Sequence, residues 1–504
     1  MVTNTEINPN VVYIFNPAYI LKNDVNRILI TNTAGKFLDK PGEITDGFVN
    51  FVHPLHAILF SYFDGLNKIE EIINEVSESF EMPLEKTREI VAQFIENPNT
   101  LTVIHEQIPF SFPKNVLIPK SNDILVREFN INDFIIPAEN AVYDNVRLNK
   151  PLDTIFMINT LCETDCIYCY ADRKKNINCQ ISIERIKELI AEAKSLEMRN
   201  FDLCGGELFL YKHWEELLST LYNNGFFPYV STKIPITENT IQRLKNIGVD
   251  SIQISIDSIQ GNELQQILKV NSAYAEKMKN TLLTLDRYDF KIYVNSIITN
   301  YNSNVSYVDE LLDFLFSLKN IKRVGVSAAG YSLYKTENDF LKYRPTLDSI
   351  KKIEELINNK KAKQTLNLFF GGYLSQNDFN QPKETFDKRA LCTGNVENFY
   401  ILPDGKVTIC EELYWHPKFI IGDVTKQSIM ECWNSPEAQS LYRLDQKMIS
   451  DKSPCKTCHE FDKCRNLPGV CWKQVMYAYG NNNWDFPDPR CPLAPKEINQ
   501  ILIQ

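Results

Sequence analysis

The 504-residue chain has no apolar run long enough to cross a bilayer. Stretches such as Phe156–Ile158 and His56–Phe60 end far short of the roughly 20 residues a spanning helix needs. The first residues, MVTNTEINPN, lack a basic start and an apolar segment, so no secretory signal is expected and the protein is expected in the cytoplasm, away from membranes. Excess positive charge is also missing. A formal charge of −10 excludes a general nucleic-acid binder, which needs clustered Lys and Arg, but leaves room for a local basic groove. The six histidines show no paired metal spacing, and His459 beside Cys458 reads as a ligand's neighbour or a surface group. No internal repeat or low-complexity tract is evident. Cysteine is absent before residue 162 and then concentrated in two regions, 13 in all. An odd number in a reducing compartment fits disulfides poorly and points to metal or redox chemistry.

The 44% hydrophobic and 11% aromatic content supports sizeable cores, and the length predicts two to four domains. Residues 1–110 begin with β-like stretches, Tyr19–Leu21 and Arg27–Thr31. Pro54 then opens a helix running to about Phe63. A second helix carries Leu66, Ile69, Ile72, Ile73, Val76 and Phe80 at three- and four-residue spacing, and Pro83 opens a third over about 84–96. Strands followed by three short helices predict a small winged-helix-like domain. Residues 111–150, rich in Pro, Asn and Asp, read as a linker with some strand. Residues 151–385 alternate β-branched runs with amphipathic helices such as Ser182–Leu196 and His213–Asn223. The predicted strands are Thr154–Asn159, Asn200–Leu203, Phe227–Ser231, Ser251–Ile256, Lys291–Ile298 and Arg323–Ser327. Repeated βα units predict an α/β fold with a parallel sheet, open or curved into a barrel, with its active site at the C-terminal strand ends. Residues 386–504 have little regular pattern and eight of the cysteines, so metal ligation rather than a large apolar core is expected to organise them.

Directly after the first of these strands, Cys162, Cys166 and Cys169 read C-x3-C-x2-C. Three thiolates on one loop can hold three irons of a [4Fe–4S] cube and leave the fourth open. Zinc is the bland alternative, but apart from Cys179 no fourth Cys or His lies nearby. The second strand ends at Gly205-Gly206-Glu207, where two glycines permit close backbone approach and the carboxylate can accept from an ammonium. This combination, over about 154–330, resembles the radical S-adenosylmethionine (SAM) superfamily. The resemblance implies a partial (β/α)6 barrel and a SAM-chelated cluster that generates a 5′-deoxyadenosyl radical. It further implies that Tyr168 packs near the adenine and that Gly205, Gly206 and Glu207 hold the SAM amino group. Ser231, Thr232, Ser255, Asp257 and Asn295, at or near later strand ends, would supply the remaining SAM contacts. Leu208 stands where the family often has proline.

Later come Cys392, Cys410, Cys455, Cys458, Cys464, Cys471 and Cys491, too many for one four-ligand site. Two clusters, iron–sulfur or zinc, are the economical reading. The arrangement resembles the SPASM extension of radical SAM enzymes. That resemblance implies Cys392, Cys410 and Cys471 on one auxiliary [4Fe–4S] cluster and Cys455, Cys458, Cys464 and Cys491 on a second, three clusters in all. The six residues 465–470 exceed the family's usual spacer of three. Cys432, at an apolar position of a helical stretch, reads as a buried structural thiol, as does Cys204 and, more weakly, Cys179.

With this body behind it, the N-terminal segment resembles the recognition element of ribosomal-peptide maturases, which binds a leader peptide as an added strand. A DNA-binding winged helix is disfavoured by Glu70, Glu71, Glu75, Glu78 and Glu81. The resemblance implies a peptide maturase that binds a ribosomally made precursor through residues 1–110. It would draw on a low-potential electron donor such as a flavodoxin or ferredoxin, and install intramolecular cross-links. Thioether bonds from Cys come first, because three thiols leave the first auxiliary cluster one ligand short. C–C cyclophane formation and a sulfatase-maturase-like SPASM dehydrogenase are the alternatives.

Overall fold

The computed structural model describes residues 8–33, 45, 47–121, 126–143, 146–171, 176–362, 367–371, 379–390, 392–466 and 469–496. Residues 1–7 of the segment expected to carry no secretory signal, and residues 467 and 468 of the 465–470 spacer, lie outside the described residues. The chain divides into two compact units, Met1–Lys150 and Pro151–Gln504. No helix among the described residues is long and apolar enough to cross a membrane.

In the first unit, β1 (Tyr13–Phe15) precedes an antiparallel sheet of β2 (Tyr19–Asn23), β3 (Ile28–Asn32) and β4 (Val49–Val52), in the order β2-β3-β4. Three helices follow: α1 (Pro54–Ser61), α2 (Ile69–Ser79) and α3 (Leu84–Ala92). Proline suits the first turn of α1 because its missing N–H needs no partner there. On α2, Ile69, Ile72, Ile73 and Val76 are buried, as their spacing predicts, but Leu66 precedes the helix and is exposed, and Phe80 at its end is only partly buried. Arg88 of α3 forms a two-pronged pair with Glu70 of α2, both contacts at 2.6 Å. The hairpin of β5 (Leu101–His105) and β6 (Ile108–Phe112) was not foreseen, and β7 (Leu117–Pro119) pairs antiparallel with β1.

The expected linker is therefore structural at its start. Phe112, Val116 and Leu117 are fully buried, and Phe134 belongs to the same core. The segment's polar composition hides a few large anchors that carry most of the burial.

The second unit begins with β8 (Asp153–Met157), α4 (Ile183–Ser195), β9 (Asn200–Cys204), α5 (Trp214–Asn223), β10 (Ser231–Thr232), α6 (Glu238–Ile247) and β11 (Ser251–Ser255). It continues through α7 (Gly261–Leu268), α8 (Tyr274–Arg287), β12 (Lys291–Ile298), α9 (Val305–Phe316), β13 (Ile321–Ala328), α10 (Glu337–Tyr343), α11 (Leu347–Lys361) and β14 (Asn367–Gly371). β10 to β14 form one parallel sheet in chain order, and β8 pairs parallel with β9. This is the expected α/β succession with one further parallel strand, β14. The strand expected over Phe227–Ser231 shrinks to Ser231–Thr232. Pro228 has no N–H to give a ladder, and the Tyr229 N–H goes instead to the Asp202 carboxylate at 2.7 Å.

After α12 (Lys383–Asp387), β15 (Asn398–Ile401) runs parallel to β8, and β16 (Lys406–Thr408) and β17 (Ile420–Asp423) extend the sheet in the order β17-β16-β15-β8-β9. α13 (Ile429–Trp433), α14 (Pro436–Tyr442), α15 (Phe461–Arg465) and α16 (Trp472–Tyr479) complete the chain. The expectation of a region without a large apolar core fails for its first half. Phe399, Ile401, Val407, Phe419 and Trp433 are almost fully buried and share the core of the βα body.

Candidate active site

The C-terminal ends of β8 and β9 meet through backbone. Gly206 N–H donates to Asn159 O at 2.8 Å and Glu207 N–H to Leu161 O at 2.7 Å. The Asn159 side chain stitches both loops, donating to Glu207 O at 3.0 Å and accepting from Leu161 N at 3.1 Å. A Cβ on Gly206 would stand 2.0 Å from Leu161 O, and one on Gly205, whose φ is +129°, 2.4 Å from Asn159 O. Only glycine permits that approach. The cysteine loop is held on its other side, with Asp165 N and Ile167 N donating to the Leu268 and Ile267 carbonyls at the end of α7.

Glu207 is 3% exposed. Its carboxylate accepts from Thr232 Oγ1 at 2.9 Å, Lys233 N at 3.1 Å and Phe209 N at 3.4 Å. Burial nevertheless pushes its pKa up to about 7, and the Glu163 charge adds to the shift.

A cavity of about 580 Å³ opens over these strand ends. Cys162, Cys166 and Cys169 line it together with Tyr168, Gly205, Gly206, Glu207, Ser231, Thr232, Ser255 and Asn295. Asp257 is not among the lining residues. Its carboxylate lies behind the wall, accepting from the Tyr168 hydroxyl and from Ile297 N at 3.0 Å, and paired with Lys233 Nζ at 3.0 Å. Lys233 itself faces the cavity and was missed. Its position directly after Ser231 and Thr232 was the signal for it.

Glu412, Lys473 and Tyr477 of the C-terminal region complete the wall and were also missed. Lys473 pairs with Glu412, whose other oxygen accepts from the Tyr477 hydroxyl at 2.6 Å. Each stands within a few residues of Cys410 or Cys471, but sequence spacing does not reveal which side chains reach the barrel.

The remaining thiols sort by mutual electrostatics. Burial pushes Cys410 up to about 12, with the Cys471 and Cys392 charges adding to it. Cys392 is likewise raised by burial and by Cys471. Burial pushes Cys491 up to about 11, with Cys464, Cys455 and Cys458 adding. Cys410 and Cys392 thus feel Cys471, and Cys491 feels Cys464, Cys455 and Cys458. Cys432 stands apart. It is 1% exposed on α13 and packed against Gly422, where a Cβ would meet its Sγ at 2.5 Å. Cys204 sits at the end of β9, and Cys179 donates to Ile181 O at 3.4 Å.

Among the described residues no three Cys, His, Asp or Glu side chains converge closely enough to hold a single metal ion. The fit to iron–sulfur clusters rests on two other features. The donor set is all thiol, and desolvated thiols become thiolates when a metal core supplies the positive charge. Beside Cys455, the Arg465 guanidinium keeps Nε and Nη1 buried without a hydrogen-bond partner, as a cation awaiting an anionic group would.

Residues 157–315 match the radical SAM superfamily model, and residues 392–459 match the SPASM model, an iron–sulfur cluster-binding domain. The PqqA peptide cyclase of Methylobacterium nodulans is 22% identical over 358 residues, 69% of this chain and 88% of that protein. The PqqA peptide cyclase of Rhizobium meliloti is 20% identical over 361 residues, 71% of this chain and 91% of that protein. Streptococcus suis SuiB bound to S-adenosylmethionine has the same fold at 13% identity, with a TM-score of 0.63 over 95% of this chain and 100% of that one. SuiB bound to precursor peptide SuiA gives 0.61 at 14% identity, with the same coverage. These family models imply [4Fe–4S] chemistry and SAM; the first spans Cys162, Cys166 and Cys169 of the cavity, and the second spans Cys392, Cys410, Cys455 and Cys458. Residues 157–315 thus form a radical SAM domain and residues 392–459 a SPASM domain, and the protein is a radical SAM enzyme with a SPASM extension.

Proposed function

We propose that this enzyme is a peptide maturase that installs intramolecular cross-links in a ribosomally made precursor. The observation that carries the proposal is the composition of one cavity. C-x3-C-x2-C thiols, the Gly-Gly-Glu turn and strand-end hydroxyls form one wall, and Glu412, Lys473 and Tyr477 from the cysteine-rich region form another. Relatives named as PqqA peptide cyclases, and a fold shared with a protein crystallised with its precursor peptide, support a peptide substrate.

In this reading Cys162, Cys166 and Cys169 hold the SAM-binding cluster. Cys392, Cys410 and Cys471 hold one auxiliary cluster, and Cys455, Cys458, Cys464 and Cys491 hold the other. When bound, cluster and SAM supply a 5′-deoxyadenosyl radical able to take a hydrogen atom from carbon. Glu207, fixed by Thr232 and Lys233 N–H, accepts from the SAM amino group. Lys233, held by Asp257, presents positive charge toward a carboxylate. Tyr168, tethered to Asp257, covers the adenine side, with Ser231, Ser255 and Asn295 as further contacts. The neighbouring Glu412–Lys473–Tyr477 group offers both donors and acceptors to a peptide backbone.

Thioether formation is our first assignment of the bond. Joining a Cys sulfur to a carbon removes two hydrogens from the peptide, one as an atom and one as a proton, and leaves one electron for the C-terminal region to accept. The leader is taken by the first unit, as a strand added to an edge of the β2-β3-β4 sheet. A flavodoxin or ferredoxin is the expected donor. A C–C cross-link is the second reading, and the relatives' cyclase names are compatible with either bond.

Fragmentation mass spectrometry of a precursor processed by the enzyme decides between them. The thioether reading predicts a loss of two hydrogens per bond, mapped to Cys, and no product from a Cys-free precursor. Unchanged cross-linking of the Cys-free peptide would overturn it in favour of the C–C bond, and an unmodified precursor of either kind would overturn the maturase reading.

A further inference from the structure

Two guanidinium groups converge on the second set of C-terminal thiols. Arg389 lies 3.9 Å over the Phe386 ring and donates through Nη2 to Cys464 Sγ at 3.3 Å, Cys464 O at 3.1 Å and Gly469 O at 3.0 Å. Its Nη1 donates to Phe386 O at 3.0 Å. Arg465, 6% exposed, sits 5.2 Å from the Trp472 ring. It directs Nη2 to Cys455 Sγ at 3.6 Å, to Asp485 O at 2.9 Å and to Phe486 O. Neither arginine forms an ion pair among the described residues, and both retain buried nitrogens without partners. Their protein acceptors are thus neutral carbonyls and thiol sulfurs.

The first set sits in a different field. Around Cys392, Cys410 and Cys471 the cations are already neutralised, Arg490 by Asp488 at 2.7 Å and Lys473 by Glu412. A buried, uncompensated cation is costly, whereas a cation hydrogen-bonded to a thiolate is stabilised. Reducing a thiolate-ligated cluster adds one negative charge. Nearby positive charge and hydrogen bonds to its sulfurs favour that step and raise the reduction potential.

We propose that Arg389 and Arg465 are positioning residues that raise the reduction potential of the cluster held by Cys455, Cys458, Cys464 and Cys491 above that of the cluster held by Cys392, Cys410 and Cys471. With both clusters bound, the one electron released when the substrate bond closes would be drawn toward the second set of thiols and from there reduce an oxidised one-electron carrier of the flavodoxin or ferredoxin class. The inference rests on the proposed ligand assignment.

The test is an EPR-monitored redox titration of the full-length, anaerobically reconstituted enzyme, with iron content and thermal melting measured on each sample. The signals are assigned by Cys491→Ser and Cys410→Ser variants. Arg389→Gln leaves iron content and melting near wild type and lowers the midpoint of the Cys491-dependent signal. The expected reduced-to-oxidised ratio at the wild-type midpoint falls about tenfold, a shift of about 59 mV. Arg389→Lys recovers most of the shift, and Arg465→Gln, where it folds, moves the same signal in the same direction. An unmoved Cys491-dependent midpoint with full iron content, or a shift confined to the Cys410-dependent signal, overturns the inference. Loss of neither iron nor signal in Cys491→Ser overturns the underlying ligand assignment instead.

Discussion

Gly206 carries the tightest steric demand in the site. A methyl group there would meet Leu161 O at 2.0 Å and Asn159 Oδ1 at 2.7 Å, and the nearer atom is backbone that cannot rotate away. Gly206→Ala is expected to cost about 1–3 kcal/mol and to displace the loop bearing Cys162, so that 5′-deoxyadenosine production falls at least about tenfold. Wild-type turnover in this variant would show that the loop tolerates the shift. Glu207 makes a second prediction. Burial raises its pKa to about 7, above the ordinary carboxylate value of 4.5. The sign follows: the folded apo protein gains relative stability from this group as pH falls from 8 toward 5 and loses it as pH rises through 7. SAM binding needs the charged form, so calorimetric affinity should strengthen from pH 6 to 8. Glu207→Gln should flatten that dependence and weaken binding about tenfold at pH 8. A pH-independent affinity in the wild type would remove Glu207 from the amino-group site. The thiols and the Gly-Gly-Glu turn were readable in the sequence because they lie on contiguous, spaced motifs. Glu412, Lys473 and Tyr477 were not, because only the folded chain brings them to the cavity, and neither was Asn159, which is buried between the two loops it ties together. Asp257 was readable as a strand-end acid but not as one already engaged by Lys233 and Tyr168.

At the scale of elements, β15 joins the βα body to the cysteine-rich region as a parallel neighbour of β8, in register from Asn398↔Asp153 to Ile401↔Phe156. Trp433 on α13 packs against Phe399 of β15 with ring centroids 6.1 Å apart and is fully buried. Trp433→Ala is therefore expected to destabilise by about 3–5 kcal/mol. Because this core is continuous with that of the βα body, denaturant unfolding of residues 151–504 should keep one transition, shifted to lower midpoint. A new early transition reporting only on the cysteine-rich part would mean that part folds separately. α2 was legible in its buried face but not at its start, since Leu66 is exposed and lies before the helix, whereas α4 was legible nearly to the residue. The short strands β15, β16 and β17 were not, because three- and four-residue strands carry too few alternations to stand out, and parallel partners far apart in sequence leave no local mark. The apolar composition of Phe227–Ser231 suggests a longer β10 than forms, because Pro228 lacks a ladder N–H and the Tyr229 N–H is taken by Asp202.

For the whole molecule, the division at Lys150/Pro151 separates a unit with its own aromatic core from the unit containing the cavity. Removing residues 1–150 should leave SAM cleavage within about twofold while abolishing precursor modification, as chromatography of 5′-deoxyadenosine and mass spectrometry of the peptide would report. Retained modification would instead favour a dehydrogenase that needs no leader.

The central claim is that ten cysteines hold three clusters while Cys432 holds none. The most direct measurement is iron and zinc content per chain after anaerobic reconstitution, for the wild type, for the Cys162/Cys166/Cys169→Ala variant and for Cys432→Ala. The account predicts about twelve irons in the wild type, about eight when the first three thiols are removed, and about twelve again in Cys432→Ala, with no zinc. About four irons accompanied by zinc, falling to none when Cys162, Cys166 and Cys169 are replaced, would contradict it and make the C-terminal thiols a structural zinc site.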